Sequence, residues 1–171
     1  MQNYNVLDYG EKVVDGFYDV YGVVSDFGTA EKMPSLVHLQ NTPSTGVLGY
    51  EVVLVNRAID PDLVHLEQAA LCLALDCGMN GISPQSSDLA QNIADLVVQH
   101  MGGPVVDAND IHRKWVSKSY ELRTSLNNIV LPLGSLRIGM SRHRALLFKV
   151  LMILLLLVFY TGTLITIKSL L

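Results

Sequence analysis

Cysteine is scarce here: the 171 residues hold two, Cys72 and Cys77. Five positions apart they fall on different faces of a helix, and no second cysteine or histidine pair completes a ligand set. Neither a zinc site nor a disulfide is expected, and no other metal or cofactor is implied. Charge is sparse too, at 16% of residues with a formal net charge of −4. With no basic stripe interleaved with aromatics, this balance excludes a nucleic-acid partner. Met1 to Gly10 is polar and has no apolar core, so no cleavable secretory signal is expected, and the chain is read as cytoplasmic. Acidic residues are missing altogether from Arg142 to Leu171, where His143 is the only histidine.

What is abundant is apolar sequence, 50% of the chain, more than an ordinary soluble domain carries. The length suits one domain with one core. Met1 to Lys32 lacks a sustained period and reads as loops and short strands, with Phe17, Tyr18 and Tyr21 as packing residues. Gln40 to Gly49 clusters Asn, Pro, Ser, Thr and Gly and reads as a loop. Tyr50 to Val55 is β-branched and bounded by Gly49 and Asn56, the pattern of a buried strand. Asp60-Pro61-Asp62 then opens a helix as cap, first helical residue and favourable first-turn charge. Leu63, Leu66, Ala70, Leu73 and Cys77 form its apolar face, with Gly78 as its end.

A turn-rich connection, Asn80 to Ser87, leads to a second amphipathic helix carrying Leu89, Ile93, Leu96, Val97 and Met101, stopped by Gly102-Gly103-Pro104. His100 lies in its last turn, where a protonated imidazole would complement the helix dipole; a site histidine is the sharper alternative. Ile111 to Leu126 is a third helix, with Trp115, Lys118, Leu122 and Leu126 on one stripe. His112, Arg113, Lys114 and Lys118 read as a solvated basic group, with an acidic partner site as the alternative. Pro132 restricts any strand at Ile129 to Leu133 to an edge.

The most specific stretch is LPLGSLRIGMSRHRALLFKVL, Leu131 to Leu151. Pro132 and Gly134 punctuate it, Gly139 allows a close approach, and Ser141 stands at the turn-to-helix junction. A serine there reads as an N-cap, with a nucleophile at the head of the helix as the alternative. GMSRHRALLFKVL, with HMGGPV at His100 to Val105, EVVLVN at Glu51 to Asn56, MPSLVHL at Met33 to Leu39 and DGFYDVYG at Asp15 to Gly22, resembles the amino-terminal regulatory region of plant Raf-like protein kinases. These are the kinases of the constitutive-triple-response and enhanced-disease-resistance type, and armadillo-repeat proteins carry a related domain. The resemblance runs from about Gly10 to Leu151. It implies an α+β, helix-rich fold similar to papain and transglutaminase, whose nucleophilic cysteine at the start of the central helix is matched here by Ser141.

Thiol chemistry needs a thiolate, a base and a group that orients the base. Ser141 supplies no thiol, and His143, two residues along a helix, points about 200° away. The histidine and aspartate that follow the nucleophile in the family's order are absent, so a base would have to come from His38, His65, His100 or His112. No catalytic residue is therefore expected, and Ser141 is read as a degenerate nucleophile position. No Gly-rich loop with a strand lysine, HRD or DFG occurs either.

After Leu151 the sequence leaves the family's pattern. Residues 1–151 are read as a partial peptidase-like domain, incomplete at its carboxyl end. Val150 to Ile167 follows as 18 uncharged residues between Lys149 and Lys168, near the lower limit of a membrane span. The flanking Arg137, Arg142, Arg144 and Lys149 would keep the domain cytosolic, with a tail anchor in the endoplasmic reticulum. A buried central helix is the alternative. The expected function is a noncatalytic regulatory and interaction domain in signalling, of the type found in Raf-like MAP kinase kinase kinases of ethylene or defence pathways. Its expected partners are kinase or receptor-like proteins. A tail-anchored membrane adaptor and a hydrolase using Ser141 are the alternatives.

Overall fold

The computed structural model describes residues 11–22, 35–42, 50–79 and 86–160. Three strands form one sheet in the order β1 (Phe17–Gly22), β2 (Tyr50–Val55), β3 (Val130–Pro132). β1 runs antiparallel to β2, pairing Phe17 with Val55 and Tyr21 with Glu51. β3 runs parallel to β2, with Val52 opposite Val130. The parallel pairing requires a long crossover, which α2 (Pro61–Met79), α3 (Ser86–His100) and α4 (Ala108–Leu126) supply. A short helix, α1 (Leu36–Gln40), precedes β2, and α5 (Ser141–Tyr160) follows β3.

The uninterrupted Val52-Val53-Leu54-Val55 run is explained by cover on both faces of the central strand. Val53 and Val55 join the main core with Leu63 and Ala70 of α2, Ile93 and Val97 of α3, and Leu147 and Leu151 of α5. Val52 and Leu54 face the opposite way, into a smaller cluster with Leu39 of α1, Val20, Ile129 and Val130. α2, α3 and α5 pack against one another pairwise on the main-core side.

Most elements lie where the sequence places them. Asp60 caps α2 by accepting from Leu63 N–H at 3.1 Å. α2 continues past Gly78 to Met79, one residue beyond the expected stop. Gly102 and Gly103 adopt φ of +90° and +82° after α3, a left-handed exit that glycine takes without strain. α4 starts earlier than expected because Asp107 accepts from Asn109 N–H at 2.9 Å, and it ends on Asn127 in the left-handed conformation. Its buried residues are Trp115 and Ser119; Lys118 is exposed, so the stripe turns slightly from the expected one. α1, capped by Ser35, is an element the sequence reading did not anticipate. The expected connections at 43–49 and 80–85 lie outside the described residues, as does the rest of the amino-terminal reading at 1–10 and 23–32.

α5 answers the question of the apolar tail as far as Tyr160. Leu147, Val150, Leu151 and Leu155 are buried in the main core, each worth roughly 2 kcal/mol relative to exposure. Among the described residues no helix is long and apolar enough to cross a membrane. The anchor reading is therefore without support in the part described, and residues 161–167 of that segment lie outside it. The run is apolar because a helix packed by α2 and α3 needs apolar residues on most of its surface. Past Leu155 the packing thins, and Leu156, Leu157 and Phe159 are exposed.

Candidate functional site

The start of α5 holds Ser141, the residue expected to cap this helix, and its local geometry differs from that expectation. Met140 C=O accepts the first helical bond, from Arg144 N–H at 3.1 Å, so Met140 is the cap and Ser141 the first helical residue. Ser141 is exposed, and its hydroxyl bonds no described residue. The capping side chain is instead His143, whose Nδ1 accepts Met140 N–H at 3.2 Å. It takes the role that Glu or Gln plays at the third position of a capping box.

His143 is fully buried, and its ring lies against Trp115 with centroids 4.3 Å apart and planes tilted by 45°. Because Nδ1 accepts, the neutral ring carries its proton on Nε2. Nε2 bonds no described residue; Glu51 Oε2 stands 3.7 Å away. Burial, helped by the Arg142 charge, pushes the His143 pKa down to about 3. The ring is thus neutral at physiological pH and faces the core, away from Ser141.

Glu51, on β2, is the junction of this cluster. It accepts from Trp115 Nε1–H through Oε1 and from Arg142 Nη2 through Oε2, the latter at 2.5 Å. Arg142 also reaches Asp19 on β1 at 2.9 Å, and its guanidinium lies 4.1 Å above the Tyr21 ring. The second helical residue of α5 is thereby bound to both β1 and β2. Tyr21 is not the packing residue expected of it. It is 60% exposed and serves as a platform for Arg142, whereas Phe17 and Tyr18 do pack against the two cores.

The turn that leads into α5 is held from three sides. Asp60 Oδ2 accepts Gly134 N–H at 2.7 Å, and His100 Nε2 donates to Gly134 C=O at 2.8 Å. Arg137 donates to His100 Nδ1 at 3.2 Å and to Asp62 at 2.9 Å. An arginine only donates and a carbonyl only accepts, so His100 is fixed as the neutral tautomer with its proton on Nε2. Burial lowers its pKa, and the Arg137 charge adds to this. His100 is therefore a neutral tether, and the expected protonated complement to the helix dipole is not what it provides.

Arg144 completes the clamp by donating to the carbonyls of Met101, Gly103 and Gly139 at 2.7, 2.8 and 2.8 Å, which caps the end of α3. Gly139 is needed because a Cβ there would strike the Met101 side chain, and a Cβ on Gly134 would strike the backbone of Leu63.

The remaining candidates do not converge on Ser141. His38, His65 and His112 are exposed on α1, α2 and α4. Cys72 and Cys77 are free thiols, Cys77 accepting from Asn92 Nδ2 at 3.3 Å. Among the described residues no group of acidic, histidine or cysteine side chains could hold a metal. Sequence reasoning missed Asp19, Glu51, Arg142 and Arg144 as structural partners. A hint lay in Glu51, a lone carboxylate opening an apolar strand, and in three arginines crowded between Arg137 and Arg144.

One concavity adjoins the cluster. A groove of about 310 Å³ runs between α4 and the turn at Ser135, Leu136, Arg137 and Ile138. Trp115 and Leu122 line it from the helix side, so the indole that binds Glu51 also contributes to its wall.

The fold is α+β and helix-rich, with a small three-stranded sheet covered by helices. The family described as "EDR1/CTR1/ARMC3, peptidase-like" matches residues 2–155, and this chain belongs to it. The chain is 49% identical over 150 residues to the probable serine/threonine-protein kinase SIS8 of Arabidopsis thaliana, covering 87% of this chain and 14% of that protein. It is 30% identical over 152 residues to the serine/threonine-protein kinase CTR1 of the same plant, covering 85% of this chain and 18% of that one. The chain thus spans less than a fifth of either kinase, matching only the amino-terminal region of these plant Raf-like enzymes. No solved structure matches it.

Proposed function

We propose that this chain is a noncatalytic regulatory domain in signal transduction, acting by binding other proteins as part of, or alongside, kinases of the Raf-like MAP kinase kinase kinase type. In this reading residues 1–151 make a scaffold related to papain and transglutaminase that works in the cytoplasm. The observation that carries the proposal is the head of α5. Ser141 is exposed and among the described residues bonds no base, while His143, Arg142 and Arg144 around it are committed to capping, ion pairing and clamping. A hydrolase needs a nucleophile within hydrogen-bond reach of its base, and here the nearest imidazole is turned into the core. The match to the amino-terminal region of two kinases supports a role in kinase signalling; on this reading the partners are kinase or receptor-like proteins of ethylene or defence pathways.

The membrane-anchored alternative requires Val150 to Ile167 to be free of the protein, which the burial of Val150, Leu151 and Leu155 opposes. The test is isothermal titration of the purified chain against the full-length SIS8 and CTR1 kinases, with phosphate transfer measured in parallel. Saturable binding without phosphate transfer by the chain alone is expected. Absence of binding to both kinases would overturn the interaction reading, and transfer by the chain would overturn the noncatalytic one.

A further inference from the structure

His100 is held between two groups of opposite demand. Gly134 C=O can only accept and takes the Nε2–H at 2.8 Å, while Arg137 can only donate and gives an Nη1–H to Nδ1 at 3.2 Å. The ring therefore fits this site in one protonation state. A second proton would go to Nδ1, the atom that faces Arg137, and would set an N–H and a positive charge against a guanidinium. The bond to Gly134 C=O would survive, because Nε2–H is present in both forms. The contact with Arg137 would be lost. The backbone of the turn is fixed independently of that contact: Asp60 Oδ2 accepts Gly134 N–H at 2.7 Å, and Gly139 N–H reaches Met101 C=O at 3.4 Å.

The surroundings decide when this happens. From the head of α2, Asp60 and Asp62 favour the protonated ring, and from the turn the Arg137 charge opposes it. Arg144 of α5 is spent on the carbonyls of Met101, Gly103 and Gly139. α3 itself brings only Asp88 and Asp95, the nearer of them more than a helical turn away. Burial outweighs the two carboxylates and, with Arg137, holds the His100 pKa below its ordinary value of 6.5, so the neutral form is given up only as pH falls below that value. The ring is half-buried and Arg137 is 62% exposed, so a proton can enter and the side chain can leave without uncovering the core. We infer that the His100–Arg137 contact is a proton-operated latch, which holds the Arg137 side chain against α3 while His100 is neutral and releases it on mild acidification with the backbone of the turn in place. Asp62 is then the partner left to the guanidinium. Arg137 also lines the groove beside Trp115, so the latch sets one lip of that groove. The device goes beyond the binding function proposed above and does not depend on it.

The test follows the imidazole and arginine side-chain signals of the isotope-labelled full chain by nuclear magnetic resonance from about pH 8 to about pH 5, with circular dichroism alongside. At the alkaline end His100 should show the Nε2–H tautomer. As the pH falls, its ring and the Arg137 guanidinium should shift together, with one shared midpoint below the ordinary histidine value. His100→Gln keeps an amide N–H for Gly134 C=O and an amide oxygen for Arg137, so Arg137 should stay latched and show no transition in this range. Arg137→Gln, at an exposed position, removes the opposing charge and should move the His100 midpoint upward. The shared transition of the native chain and the Arg137→Gln shift decide the matter if His100→Gln does not fold. An Arg137 signal that stays in place while His100 titrates would overturn the inference, as would one that moves in His100→Gln with the native midpoint. So would an unmoved His100 midpoint in Arg137→Gln, a ring that stays neutral down to about pH 5, or a loss of the fold within this range.

Discussion

His143 accepts the backbone N–H of Met140 at 3.2 Å while its ring is buried against Trp115, so one histidine both starts the central helix and fills the core beneath it. The residue that in a catalytic reading would invite suspicion is thereby accounted for by structure. Its cost is an Nε2–H directed at Glu51 from 3.7 Å, too far for a good hydrogen bond.

That arrangement should make the protein sensitive to acid. The folded state holds His143 neutral down to a pKa of about 3, whereas the unfolded chain takes up a proton near the ordinary value of 6.5. Stability from this group is complete above pH 6.5 and is lost as pH falls toward 3, amounting to roughly 3 kcal/mol by pH 4. Urea unfolding at pH 7.5, 5.5 and 4 measures it. His143→Gln keeps an acceptor at the third helical position and should flatten the slope between pH 6.5 and 4; an unchanged slope would assign it to other groups.

Glu51 should matter more than any other surface-proximal carboxylate. Glu51→Ala leaves Trp115 Nε1–H and one arm of Arg142 without their acceptor, at an expected loss of about 2 to 3 kcal/mol. Glu51→Gln retains an acceptor for the indole and should lose less. Paired denaturation curves of the two variants check the order.

The two glycines of the clamped turn should respond unequally. Alanine at Gly134 meets the fixed backbone of Leu63 and, at 2.7 Å, Asp60 Oδ1. The three atoms nearest an alanine Cβ at Gly139 all belong to the Met101 side chain, the sulfur first. Gly139→Ala should cost about 1 to 2 kcal/mol and Gly134→Ala about 3 or more, by thermal unfolding.

The apolar tail can be tested with adjacent substitutions. Leu155 is 1% exposed and Leu156 is 51% exposed, so Leu155→Arg should abolish folding and Leu156→Arg should leave it nearly unchanged. In a bilayer-spanning helix the two would be equivalent. Circular dichroism and soluble yield distinguish the cases.

The sequence displayed its long-range layout through local rules. The Asp60-Pro61 helix start, the buried β2 run, the double-glycine stop after α3 and the edge position of Pro132 each follow from capping, branching and backbone freedom, and each stands in the fold. The site was less legible because it is made of contacts between distant segments. Arg142 meets Asp19 across 123 residues and Glu51 across 91, a pairing no local period reveals. Tyr21 and His100 were misread for the same reason, since their roles depend on Arg142 and Arg137. Ser141 was misread by one position, because the histidine that caps from within the helix displaced the serine expected to do so.

The central claim is that Ser141 is an exposed first helical residue and not a nucleophile. Its most direct test is intact-mass measurement of the purified, folded chain after incubation with a fluorophosphonate probe, with Ser141→Ala alongside. No adduct is expected on either protein, together with a stability change of no more than about 0.5 kcal/mol for the variant. A stoichiometric adduct on the native chain that Ser141→Ala abolishes would contradict the account.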